Sequence, residues 1–235
     1  MTLTKMAYEI WEIIRKNIVD DDEIDIRLIK QLIIDQRELS ISNTINKGNS
    51  QGNITQYGTA SGYDGGWENF AQTITLVLAQ ETPVTSGSDC YTNGIFWVST
   101  TDIPSLLVMG RRPAVLRVIV NSPDLYAYKP TTLFASYDRA LYAGNGRFNS
   151  GQLVSFIKND KLGIGLKFTA TPPTITSASV EAIFRDPTEI SGYDDTTDEF
   201  PVGKLWPYIR AEVEAVLRRK IGSTEDIINN ADNDQ

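Results

Sequence analysis

Residues 153–166 read Leu153-Val154-Ser155-Phe156-Ile157-Lys158-Asn159-Asp160-Lys161-Leu162-Gly163-Ile164-Gly165-Leu166, and this stretch decides the fold class. Apolar residues flank the pair Asn159-Asp160. Asn and Asp tolerate the left-handed backbone that a two-residue loop demands, so the segment reads as a β-hairpin. Working outward, runs rich in β-branched and aromatic residues recur at 73–78, 94–99, 114–120, 133–135 and 179–184. They are short and are punctuated by Gly, Pro and Asn. No helical pattern intervenes, which excludes a doubly wound sheet. An antiparallel β-sandwich or small barrel is expected over 70–200.

Helical periodicity brackets this β-rich region. Met6, Ile10, Ile13, Ile14 and Ile18 recur at spacings of three and four, the signature of one helix face. Asp20-Asp21-Asp22 interrupts the pattern, and Asp22 is placed to cap a second helix with Ile26, Ile29, Leu32, Ile33 and Gln36 on one side. Residues 1–46 are therefore a helix pair. Trp11 lies off the stripe and fits either core packing or an exposed anchor for a partner. From Thr44 the composition turns to Asn, Gly, Ser and Thr, with Gly48, Gly52, Gly58, Gly62, Gly65 and Gly66. A long loop is expected over 47–69.

At the other end Leu205, Ile209, Val213, Val216 and Leu217 mark a helix within 201–222. Pro207 is tolerated in its first turn, Arg218, Arg219 and Lys220 suit its negative end, and Gly222 is the expected stop. A polar extended tail, 223–235, follows. The fold class is α+β: an N-terminal helix pair, a central antiparallel β-sandwich or small barrel, and a C-terminal helix with its tail.

Composition narrows function. The 235 residues contain no histidine, which removes imidazole-based nucleophilic catalysis, proton shuttling and histidine-bearing zinc sites. The single cysteine, Cys90, cannot form an intramolecular disulfide and reads as a small packed side chain. A net charge of −8 argues against gripping a nucleic-acid backbone. No apolar run reaches the roughly 20 residues that span a bilayer, and the N-terminus has no signal-peptide pattern. The expected setting is a chain made in a cytoplasm, without a membrane partner.

Three stretches invite a chemical reading. Gly144 to Gly151 suggests a phosphate loop, but it lacks the Gly-Lys-Ser/Thr ending and leads into a strand, so a turn is expected. The acidic run Asp194, Asp195, Asp198 and Glu199 lacks the ligand spacing of an EF-hand and reads as a solvated or charge-paired loop. Tyr126, Tyr128, Tyr137 and Tyr142 with Lys129, Arg139 and Arg147 read as packing within the sheets and at an interface. No catalytic, cofactor-binding or metal-ligating residue is nominated. The sequence is expected to be non-enzymatic.

Three landmarks carry a resemblance. They are Lys5–Ile10 with Asp25–Lys30 and Asp35-Gln36-Arg37; Gly144–Asn149 with Asn159–Leu162; and Ala182–Glu189 with Glu199-Phe200-Pro201-Val202 and the terminal helix. Together they resemble structural proteins of crAss-like bacteriophages, the tailed phages of gut Bacteroidales. The resemblance implies a virion ring protein of the head–tail connector or portal-proximal tail, about twelve copies matching a dodecameric portal. Its implied partners are further copies of itself, the portal or adjacent tail rings, and DNA passing without sequence-specific binding. Gly163-Ile164-Gly165 departs from the regular alternating strand of such proteins. The alternative is a carbohydrate-binding β-sandwich of a phage fibre or surface protein.

Overall fold

The computed structural model describes residues 1–16, 24–50, 69–81, 94–109, 112–122, 129–130, 132–134, 153–167 and 174–231. It is a mixed α+β chain in two compact units: Ala71–Phe184, and Met1–Phe70 together with Arg185–Gln235. The β-unit is thus an insertion into the helical one. The expected β-rich stretch runs to 200, whereas the compact β-unit ends at Phe184.

The β-unit is built on β1 (Gln72–Glu81), β2 (Gly94–Ser99), β3 (Val108–Met109), β4 (Arg112–Pro113), β5 (Val115–Asn121), β6 (Lys129–Pro130), β7 (Thr132–Phe134), β8 (Leu153–Lys158), β9 (Lys161–Lys167) and β10 (Ser177–Ala182). The two-residue strands β3, β4 and β6 have no counterpart in the sequence reading, being too short for a period to show. The main sheet runs β6-β5-β10-β1-β2-β9-β8-β7. Its two edge strands, β6 and β7, both lie within residues 129–134. Laid flat, eight strands would hold their edges about 34 Å apart. Six extended residues reach only about 20 Å. The sheet therefore curls round on itself. Of the two architectures expected, a nearly closed barrel is the one formed.

The seam is set by parity. Six strands, from β5 round to β8, alternate in direction. A segment that bridges an even run is antiparallel to one end and parallel to the other. Accordingly β6 pairs antiparallel with β5, and β7 pairs parallel with β8.

The barrel interior follows the strand period of two. Ile74, Leu76 and Leu78 are buried while Thr73, Thr75 and Val77 are exposed. Across the ladder Ile74 meets Val180 and Val180 meets Val118. On the far side Trp97 meets Ile164, which meets Ser155. Ser99 is buried but satisfied: its Oγ donates to the Thr101 carbonyl (2.7 Å) and accepts the Leu162 N–H (3.1 Å). Asn159 and Asp160 have φ of 51° and 59°, the left-handed pair that a tight hairpin turn requires.

Gly163 and Gly165 lie on the opposite face of β9 from Ile164. A Cβ at Gly163 would stand 2.2 Å from the Phe156 ring, and one at Gly165 would stand 3.1 Å from Phe96. The two rings contact edge-to-face at 6.4 Å. The glycines interrupt the alternation because neighbouring phenylalanines occupy the space their side chains would need.

The helical unit contains α1 (Leu3–Arg15), α2 (Ile26–Ser50) and α3 (Trp206–Ala231). Thr2 caps α1, its Oγ1 accepting from Lys5 N. Leu3, Met6, Ala7, Ile10 and Ile14 form the buried stripe, and Ile13 is half-buried. Asp25 is the residue seen capping α2, its Oδ1 accepting from Arg27 N at 2.8 Å. A cap has to precede the first periodic residue, Ile26, directly. Asp22, the expected cap, lies outside the described residues, as do Ile18, residues 51–68, Cys90 and 135–152.

Both long helices overrun their expected ends. The second continues past 46 to Ser50, and the last passes Gly222 to Ala231. One glycine costs about 1 kcal/mol relative to alanine. That stops a helix only when a left-handed cap gains something in exchange. Leu205, Ile209, Val213 and Leu217 are buried and Val216 is half-buried.

Candidate functional site in the helical unit

The buried stripe of α2 is Ile29, Ile33, Arg37 and Ile41, at intervals of four. A guanidinium occupies a position whose neighbours above and below are isoleucine, and it is 0% exposed. Charge is taken out of water here at a cost of several kcal/mol unless fully hydrogen-bonded. Nε donates to Pro201 O (2.8 Å), Nη1 to Arg185 O (3.3 Å) and Nη2 to Phe70 O (3.1 Å). The Phe200 ring lies under the cation, 5.7 Å away. Burial pushes the guanidinium down to about 10, and the Asp186 carboxylate opposes that shift. It remains a fixed cation near neutrality.

What Arg37 holds is informative. Phe70 is the last residue before the β-insertion and Arg185 the first after it. One side chain therefore grips the main chain at exit and return. The next residue, Glu38, takes the Arg185 guanidinium at 2.7 Å. Between Arg185 and α3 the chain is an ordered connector. Asp186 Oδ1 accepts from Thr188 N and Oγ1 and caps a 3₁₀ turn, Pro187–Glu189. Two landmarks far apart in sequence, Asp35-Gln36-Arg37 and Arg185–Glu189 with Phe200-Pro201-Val202, meet at this one buried group.

The acidic run is part of the same connector, and most of it is engaged. Asp194 Oδ1 accepts from Thr196 N (2.8 Å) and Oγ1 (2.6 Å), which hold its carboxyl below the usual range. Asp198 Oδ2 accepts from Asp194 N at 2.8 Å, and Lys30 Nζ reaches Asp195 Oδ2 at 2.6 Å. Thr4 N donates to Asp195 O, and Phe200 N to Met1 O. These carboxylates order a loop; they do not converge on a point. Among the described residues no group of three or more His, Cys, Asp or Glu is placed to hold a metal. Gly144 to Gly151 and Tyr126, Tyr128, Tyr137, Tyr142, Arg139 and Arg147 lie outside the described residues. Of Lys129 only the backbone, in β6, is described.

A family model for phage tail ring protein 2 matches residues 5–235. The chain belongs to that family. It is a crAss-like phage tail ring protein, a structural component of the virion tail that assembles with other subunits. None of the curated proteins matches it. Among its described residues no helix is long and apolar enough to cross a membrane. In a tail ring protein the buried arginine has a scaffold role, fixing the connector that joins helices to barrel ends.

Tyr193, within the connector, is the one strongly shifted phenol among the described residues of the tail ring protein. Burial, aided by Asp198 and Asp195, pushes it up to about 12, and its buried hydroxyl has no hydrogen-bond partner. A folded-state pKa above the unfolded value means stability that is intact below pH 10 and declines between about 10 and 12. Tyr193→Phe removes an unsatisfied hydroxyl, so it is expected to leave neutral-pH stability unchanged or slightly raised. It should also flatten the loss above pH 10. Alkaline unfolding curves of the two proteins check both points.

Proposed function

We infer that this tail ring protein builds a ring of the head–tail connector, bordering the channel through which the genome passes. The observation that carries the reading is the family match over residues 5–235 in a chain of net charge −8. A ring wall of that sign repels a polyanion and lets it slide. The ordered acidic connector supplies a fixed part of this field. Rings close through heterologous contacts, in which one patch meets a different patch on the next copy. About twelve copies, in register with a portal of the same symmetry, are proposed. No catalytic step is assigned.

The test is mass in solution, for the protein alone and mixed with its cognate portal. A discrete assembly of about twelve copies, appearing with portal, is expected. A monomer under both conditions would remove the portal-proximal assignment. The lumen charge is tested separately. Asp194, Asp195 and Asp198 hold the loop together, so reversing them would confuse folding with field. Glu189 is exposed, and Glu199, whose side chain is 84% exposed, meets only the N-terminal ammonium of Met1 at 3.1 Å, a solvent-screened pair outside the loop's own hydrogen bonds. Particles carrying Glu189→Lys and Glu199→Lys should eject DNA more slowly, with the deficit shrinking in high salt. Equal ejection rates would place this surface away from the DNA path. The carbohydrate-binding alternative asks for exposed coplanar aromatics. In the described barrel Trp97 is 2% exposed, and Phe96 and Phe156 are locked edge-to-face over glycine.

A further inference from the structure

On α1, Tyr8, Trp11 and Arg15 recur at three and four residues and form a row away from the buried stripe of Leu3, Met6, Ala7, Ile10 and Ile14. They order one another. The Tyr8 and Trp11 rings meet edge-to-face at 6.4 Å, and the Arg15 guanidinium lies 4.9 Å over the Trp11 ring. Tyr8 is 48% exposed. Trp11 is half-buried and touches both of these neighbours.

We propose that the Tyr8–Trp11–Arg15 row is one face of the subunit–subunit contact, and that its occupant is an acidic surface on the next copy of this chain. This rests on the ring reading above. Copies carrying −8 each repel one another, and a local patch of the other sign offsets that repulsion where it meets an acidic surface. Lys5 and Arg15 are exposed on α1 and Lys16 at its C-cap, against one exposed acid, Glu12, while Glu9 is taken up by Arg210. The row combines that basic charge with Tyr, Trp and Arg, the residue types that dominate interface energetics. Its side chains are already held in place, so little rotamer entropy remains to be lost on docking. The contact is heterologous, basic-aromatic against acidic, as ring closure requires.

The test uses assembled tails, with a benzophenone amino acid replacing Tyr8, whose half-exposed site accepts the larger group. Photolysis is expected to give covalent dimers of this chain, with cross-linked peptides joining position 8 of one copy to an acidic segment of another. In parallel, Arg15→Glu should lower the copies incorporated per particle by about tenfold or more. The isolated variant should melt with the wild type. Cross-links to a different tail protein or to DNA, or none at all, overturn the proposal, as does normal incorporation of Arg15→Glu. The ring reading itself fails on a different result, namely unsubstituted protein present in tails as a single copy.

Discussion

Arg37→Met is expected to destabilise the helical unit by about 3–5 kcal/mol, the cost of leaving three buried carbonyls without donors, less the relief of removing a buried cation. Methionine fills much of the volume and carries no charge, so the loss isolates the hydrogen bonds from the packing. Three carbonyls, those of Phe70, Arg185 and Pro201, each lose a guanidinium N–H. Depriving a buried acceptor costs about 1–3 kcal/mol, and the relief of desolving a cation offsets part of the sum. Arg37→Lys should also fail to restore wild-type stability. An ammonium is a compact donor that cannot span the fork of a planar guanidinium or lie flat on Phe200. Urea unfolding followed by helical circular dichroism measures both. A Met variant within about 1 kcal/mol of wild type would mean that the carbonyls find other donors.

The second large effect is expected in the barrel. Gly163→Ala should cost about 1–3 kcal/mol, although alanine is the better strand residue, because the added methyl would lie 2.2 Å from the Phe156 ring. Gly165→Ala serves as the graded control. Its nearest neighbours, Phe96 and Val154, stand at 3.1 Å, so they need yield only a few tenths of an ångström. Phe156→Ala alone removes a large buried ring, at about 3–5 kcal/mol. Combined with Gly163→Ala, it vacates the space the methyl needs, so the double variant should be more stable than the two single losses predict together. Additive losses would show that the ring and the glycine do not compete for the same volume.

Much of this fold was legible from the sequence. Strand runs at 73–78, 94–99, 153–157 and 162–166 fall inside β1, β2, β8 and β9. The helix stripes through Ile10 and Ile209 are where periodicity puts them. Period carries such information because burial enforces it over several turns. Other features leave no period. The closing strand of the barrel is split into two pieces of two and three residues, and pairing across the seam is a long-range event. The helix ends depend on small free-energy differences between a glycine and its cap. Arg37 carries no chemical motif in the sequence around it. Its signal was its place four residues from Ile33 and four from Ile41, where a surface arginine does not belong. Trp11 could be read either way, because spacing does not say what lies beside a helix.

The shared grip of Arg37 has a topological consequence. The Phe70 and Arg185 carbonyls are hydrogen-bonded to two nitrogens of one guanidinium, so the two ends of the insert lie within about 9 Å of each other. A cassette whose ends meet can be lengthened, replaced or removed without rethreading the host. Residues 71–184 thus leave and re-enter the helical unit at one place, so a change in their length need not disturb the clasp. The arginine works as a buckle: one side chain closes the loop that the whole insert makes.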